Sequence, residues 1–144
     1  MRLFLDANVL FTAAISVDGA SRAIMDLAGA SACTVVSSAY AMDEAVRNIE
    51  AKRDRYLADL EALLEWVKRM PEAGPAQLAR ARAIVHEKDA PILAAAIASG
   101  ANVLVTGDRR HFGQLYGEKV ETLEILPPRQ ALESILATMA SREA

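Results

Sequence analysis

The chain holds one cysteine, Cys33, and only two histidines, His86 and His111, in 144 residues. A lone cysteine excludes an internal disulfide framework and a cysteine-built zinc site, and it suits a reducing compartment. Two histidines leave little scope for imidazole chemistry. Aromatic residues are scarce at 5%, whereas alanine occurs 29 times, which predicts many helices packed at close range. There is no excess of positive charge. With a net charge of −3 and a pI near 5.4, the protein cannot hold nucleic acid through bulk charge. That leaves open a nuclease with a local basic rim, or one whose acidic centre is neutralised by metal. Long apolar runs are also missing. The longest, Ala90 to Ala98, is half of a membrane span, so no membrane partner is expected. The apolar start is interrupted by Asp6 and Asn8 before a signal-peptide core can form. The expected location is the cytoplasm.

What is present is enough for a folded core. A hydrophobic fraction of 53% and a charged fraction of 24% exclude intrinsic disorder. The length fits one domain, residues 1–144, and a chain of that size hides about 68–70% of its unfolded surface. Leu3-Phe-Leu5, Cys33-Thr-Val-Val36, Asn102-Val-Leu-Val-Thr106 and Thr122 to Leu126 are short apolar runs closed by polar or proline residues. Apolar on both faces, they predict buried strands of a parallel sheet. Helical spacing occupies the intervals: Ser21 to Leu27, Tyr40 to Ile49, Arg55 to Met70, Ala76 to Val85, Ala90 to Ser99 and Gln130 to Met139. In the third, Leu57, Leu60, Leu63, Leu64 and Val67 share one face, and Trp66 is expected in the core. Ser38 is placed to cap the second helix and Gly100 to end the fifth. No repeat or low-complexity segment interrupts this alternation. The expected architecture is α/β: a three-layer α/β/α sandwich around a central, mainly parallel sheet.

The positions of the carboxylates point to chemistry. Asp6 lies just past the first strand and Asp108 just past the third, and ligands in open α/β sheets sit outside the carboxyl ends of strands. Asp89 precedes a helix with Pro91 in its first turn, where it either caps the helix or joins the same crevice. Glu44 falls about a turn and a half into the helix after Ser38, and its neighbour Asp43 faces roughly 100° away. Four acids meeting at one end of a sheet repel one another unless a cation joins them. With no cysteine or histidine expected nearby, the donors are hard oxygens, which select Mg²⁺ or Mn²⁺ over zinc. Two such ions roughly 4 Å apart would activate water and clamp phosphodiester oxygens. Asn8 and Thr106 supply neutral polar contacts.

These residues carry a resemblance. Leu3-Phe-Leu-Asp-Ala-Asn-Val-Leu10 resembles the first motif of PIN-domain nucleases; Ser38 with Glu44 and Arg47 is similar to the second. Lys88-Asp-Ala-Pro-Ile-Leu-Ala-Ala-Ala96 resembles the third, and Val105-Thr-Gly-Asp-Arg-Arg-His-Phe112 the fourth. The ending Leu126-Pro-Pro-Arg-Gln-Ala-Leu132 is similar to a bacterial, VapC-like branch of toxin components of toxin–antitoxin pairs. The resemblance spans nearly the whole chain. It implies a Mg²⁺- or Mn²⁺-dependent endoribonuclease acting on single-stranded RNA, with Asp6, Glu44, Asp89 and Asp108 as the catalytic and metal-holding acids. Among these, it makes Asp6 and Asp108 the direct ligands. It also implies a small antitoxin protein as partner, and a homodimer.

Two departures from the family pattern stand out. Ala7 occupies a position where Thr or Ser is usual. Where many members have a further acid after Asp108, this chain has Arg109, Arg110 and His111, which favours one strongly held ion over two. Arg109, Arg110 and His111 either hold RNA phosphates beside the acidic centre or belong to a solvated loop. Two other functions compete: a catalytically weak PIN-like scaffold, and a haloacid-dehalogenase-type phosphatase. The phosphatase needs a second acid two residues after Asp6, where this chain has Asn8.

Overall fold

The short aliphatic runs pair with one another, as their two apolar faces require. The structure, a computed structural model, describes residues 1–143. Strands β1 (Arg2–Leu5), β2 (Thr34–Ser38), β3 (Val67–Met70), β4 (Val103–Val105), β5 (Lys119–Val120) and β6 (Leu123–Leu126) form one sheet in the order β3-β2-β1-β4-β6-β5. Every neighbouring pair is parallel except β5 with β6, which is antiparallel at the edge.

Alternation along the strands divides the core in two. Leu3, Leu5, Val35, Val103 and Val105 face a layer made by α1 (Ala7–Ile15), α2 (Ala20–Gly29), α3 (Ala39–Lys52), α4 (Leu57–Leu64) and α8 (Pro128–Glu143). Phe4, Val36, Leu104 and Ile125 face a second layer from α5 (Pro75–Arg82), α6 (Ala90–Ala98) and the short α7 (Arg109–Phe112). The result is a three-layer α/β/α sandwich. Alanine is what lets α6 sit close to the sheet: Ala94, Ala95 and Ala96 are all buried. The Ser38 side chain accepts a hydrogen bond from the backbone N–H of Ala41, capping α3. Gly100, with φ of +73°, ends α6 in the left-handed conformation that glycine adopts at little cost.

Three expectations need correction. The helix expected from Arg55 to Met70 is a 3₁₀ turn (Asp54–Tyr56), then α4, then strand β3. Lys68 and Arg69 are exposed on that edge strand, where charge discourages unwanted strand pairing. Trp66, expected in the core, is 58% exposed, with its ring against Gly29. A helix also begins directly after β1, at Ala7, in a segment to which the sequence assigned no element.

The chain moves outward from β1 to β2 and β3, then crosses to β4 on the other side of β1. The crevice between the ends of β1 and β4 is therefore the topological switch point, where open α/β sheets place their ligands.

Candidate metal centre

Asp6 follows β1 and is only 5% exposed. Its Oδ1 accepts a 2.7 Å hydrogen bond from the backbone N–H of Ala7, so it also caps α1. Its Oδ2 accepts from the Thr106 hydroxyl at 2.8 Å and from Nδ2 of Asn8 at 3.1 Å. Burial nevertheless dominates and pushes the Asp6 carboxyl up to about 6; Glu44 and Asp89 add to the rise by charge repulsion. Asn8 holds the two strand ends together, because its Oδ1 accepts from the backbone N–H of Gly107 at 2.7 Å. A Cβ on residue 107 would stand 3.2 Å from that oxygen, so glycine permits the close approach.

The other acids arrive from three further places. Glu44 comes from α3, Asp89 from the N-terminal end of α6, and Asp108 from just past β4. All three line one cleft of about 160 Å³ together with Asp6 and Asn8. Asp43 does not line it and is exposed. Asp89 makes no side-chain cap to α6. Its Oδ2 is buried without a hydrogen-bond partner, and burial raises its pKa even though His111 pulls it down. Asp108 does cap its helix, accepting from the backbone N–H of His111 at 3.2 Å. Thr106 is buried behind the cleft and also receives the N–H of Asp108. Arg109 and Arg110 are exposed and do not line the cleft.

The sequence, over residues 2–110, matches the PIN domain family. The chain belongs to that family. Its fold is similar to that of VapBC2 from Rickettsia felis, crystallised bound to a DNA fragment from their promoter. That match has a TM-score of 0.66 and 18% identity, and covers 88% of this chain and 98% of the other. PAE2754 from Pyrobaculum aerophilum is similar too, with a TM-score of 0.63 and 18% identity over 95% of this chain and 90% of that one. No curated protein matches the sequence.

In this PIN domain the tightest group of metal-type donors among the described residues is Asp89, Asp108 and His111, with one donor atom from each within 4.8 Å of the others. The expectation that every nearby donor would be a hard oxygen is thus overturned by the imidazole of His111. Asp6 and Glu44 line the same cleft outside this close group. Sequence reading also passed over Tyr40, Asn48 and Lys88, which line it as well. The signal was available for two of them: Tyr40 and Asn48 stand four residues either side of Glu44, on the same face of α3. The donor set fits a small divalent cation, because several acids share one cleft and a buried oxygen, Oδ2 of Asp89, accepts no hydrogen bond and is met only by the His111 imidazole.

Proposed function

We propose that this PIN domain is a metal-dependent endoribonuclease that hydrolyses phosphodiester bonds of single-stranded RNA. The observation that carries this reading is the meeting of Asp6, Glu44, Asp89 and Asp108, from four separate elements, in one cleft at the switch point. A scaffold gains nothing from four like charges held together in one cleft. Asp89 and Asp108, with Asp6 beside them, would hold Mg²⁺ or Mn²⁺. When bound, such an ion acidifies water and neutralises charge on phosphate oxygens.

The chain's own residues supply the rest. Thr106, Asn8 and the Ala7 N–H fix the direction of the Asp6 carboxylate. Glu44 lines the same cleft from α3 and would accept a proton from the attacking water. Lys88 at the rim, with Arg109 and Arg110 on the adjoining helix, neutralises the RNA backbone on either side.

The fold likeness to VapBC2 supports a toxin that pairs with a small antitoxin protein, and the exposed Trp66 beside α4 supports a homodimer. The test is cleavage of a labelled single-stranded RNA by purified protein with Mn²⁺, beside Asp6→Asn and an EDTA control. Metal-dependent cutting that vanishes in the variant is expected. Equal inertness of folded wild type and variant across several RNAs would favour the scaffold.

A further inference from the structure

His111 stands where two of the acids meet. Its Nδ1 lies 2.9 Å from Oδ2 of Asp89 and 3.1 Å from Oδ2 of Asp108. A ring nitrogen carries at most one proton and can serve both oxygens only by sharing it between them, and the contact to Oδ2 of Asp89 lacks hydrogen-bond direction. The two spacings have a second meaning. Adjacent ligands on an octahedral ion with bonds of about 2.1 Å stand about 3 Å apart. Both distances match that edge, and the three donor atoms all fall within 4.8 Å.

The ring is also held in place. His86 stacks on it with centroids 5.2 Å apart and planes 8° from parallel. His86 is itself fixed, since its Nδ1 accepts a hydrogen bond from the backbone N–H of Lys88 at 3.1 Å. The stack limits rotation of His111 and keeps Nδ1 on the carboxylates.

We infer that His111 Nδ1 is a nitrogen ligand of the ion held by Asp89 and Asp108, and that it makes the site select a transition-metal ion over Mg²⁺. This rests on the metal-dependent reading above and sharpens it. Mg²⁺ takes oxygen donors and gives up its water reluctantly, whereas an imidazole raises affinity for first-row transition ions in the order Mn²⁺ below Co²⁺. The competing role is a built-in counter-charge, with the protonated ring standing in for the ion. The two roles predict opposite effects of removing the ring: a lost ligand weakens transition-metal binding, and a lost counter-charge strengthens all cation binding.

The experiment uses the whole chain with metals alone. Pulsed electron paramagnetic resonance of the Mn²⁺-loaded wild type reads coordinated nitrogen directly and needs no variant to fold. Coupling to ¹⁴N is expected in the wild type and in His86→Ala, and is lost in His111→Ala. Calorimetric titration should show Mn²⁺ and Co²⁺ affinity falling on the order of tenfold or more in His111→Ala, with Mg²⁺ affinity nearly unchanged. Wild type that binds Mn²⁺ without nitrogen coupling would overturn the inference and leave the nuclease reading standing. So would tighter binding of all three ions in His111→Ala. Failure of the wild type to bind any divalent ion would sink both.

Discussion

Asp6 is a carboxyl that the fold holds at a cost to its own stability. A shift from 3.8 to about 6 corresponds to about 3 kcal/mol disfavouring the charged form in the metal-free protein. Asn has nearly the same shape and no charge. Asp6→Asn is therefore expected to raise the melting temperature of the metal-free protein at pH 7.5, by an amount equivalent to about 1–3 kcal/mol, while removing metal-induced stabilisation. A variant that melts below wild type would show that the bonds from Ala7, Thr106 and Asn8 outweigh the burial. At this scale the sequence was legible wherever a polar residue closes an apolar strand: Asp6, Asn8, Thr106 and Asp108 all stand at strand ends. His111 was not legible, because its role depends on a one-turn helix that swings the ring back over Asp89, and nothing in Arg109-Arg110-His111 distinguishes that from a solvated turn. Asp108 makes two contacts at once, since it caps α7 with Oδ1 and faces His111 with Oδ2.

Among the elements, α3 carries the greatest burden, since one of its faces brings Tyr40, Glu44 and Asn48 to the cleft. Its start depends on Ser38, a buried residue whose hydroxyl oxygen accepts the Ala41 N–H. Ser38→Ala leaves that N–H without its partner and is expected to cost about 1–2 kcal/mol in urea unfolding, with slower RNA cleavage as Glu44 loses its fixed position. An unchanged denaturation midpoint would show that backbone packing alone sets the start of the helix. The elements read correctly from sequence are those whose period matches their environment: β1, β2, β4 and β6 are buried on both faces, α2, α3, α5 and α8 bury one side, and the apolar α6 is buried nearly all round. The failure at Arg55–Met70 has a specific cause. Val67 falls on the same helical face as Leu60, Leu63 and Leu64, so the apolar spacing runs straight through the break. Lys68 and Arg69 look like the wet side of a helix, yet they are the charged positions of an edge strand, and only the pairing with β2 distinguishes the two.

For the whole molecule, protons and metal ions compete for one cleft, and the competition gives two pH dependences of opposite sign. In the metal-free protein Asp6 has a folded pKa of about 6 against 3.8 when unfolded, and the pKa of Asp89 is raised as well. Between those pH values the native state binds more protons than the unfolded chain, so the contribution of these groups to stability grows as pH falls through about 6 and is lost as pH rises through it. Metal-free melting temperature is therefore expected to climb from pH 7.5 to pH 5. Metal binding needs the same carboxylates ionised, so its stabilisation runs the other way. At one hundred times its dissociation constant, Mn²⁺ should add about 2.7 kcal/mol at pH 7.5. At a fixed concentration, protonation of Asp6 alone lowers affinity about tenfold by pH 5 and so cuts that increment to about half, and EDTA should abolish it throughout. Paired thermal melts with Mn²⁺ and with EDTA across this range check both slopes in one experiment. A Mn²⁺ increment that is flat with pH would mean that the ion binds away from Asp6 and Asp89, and would move the metal site out of the cleft.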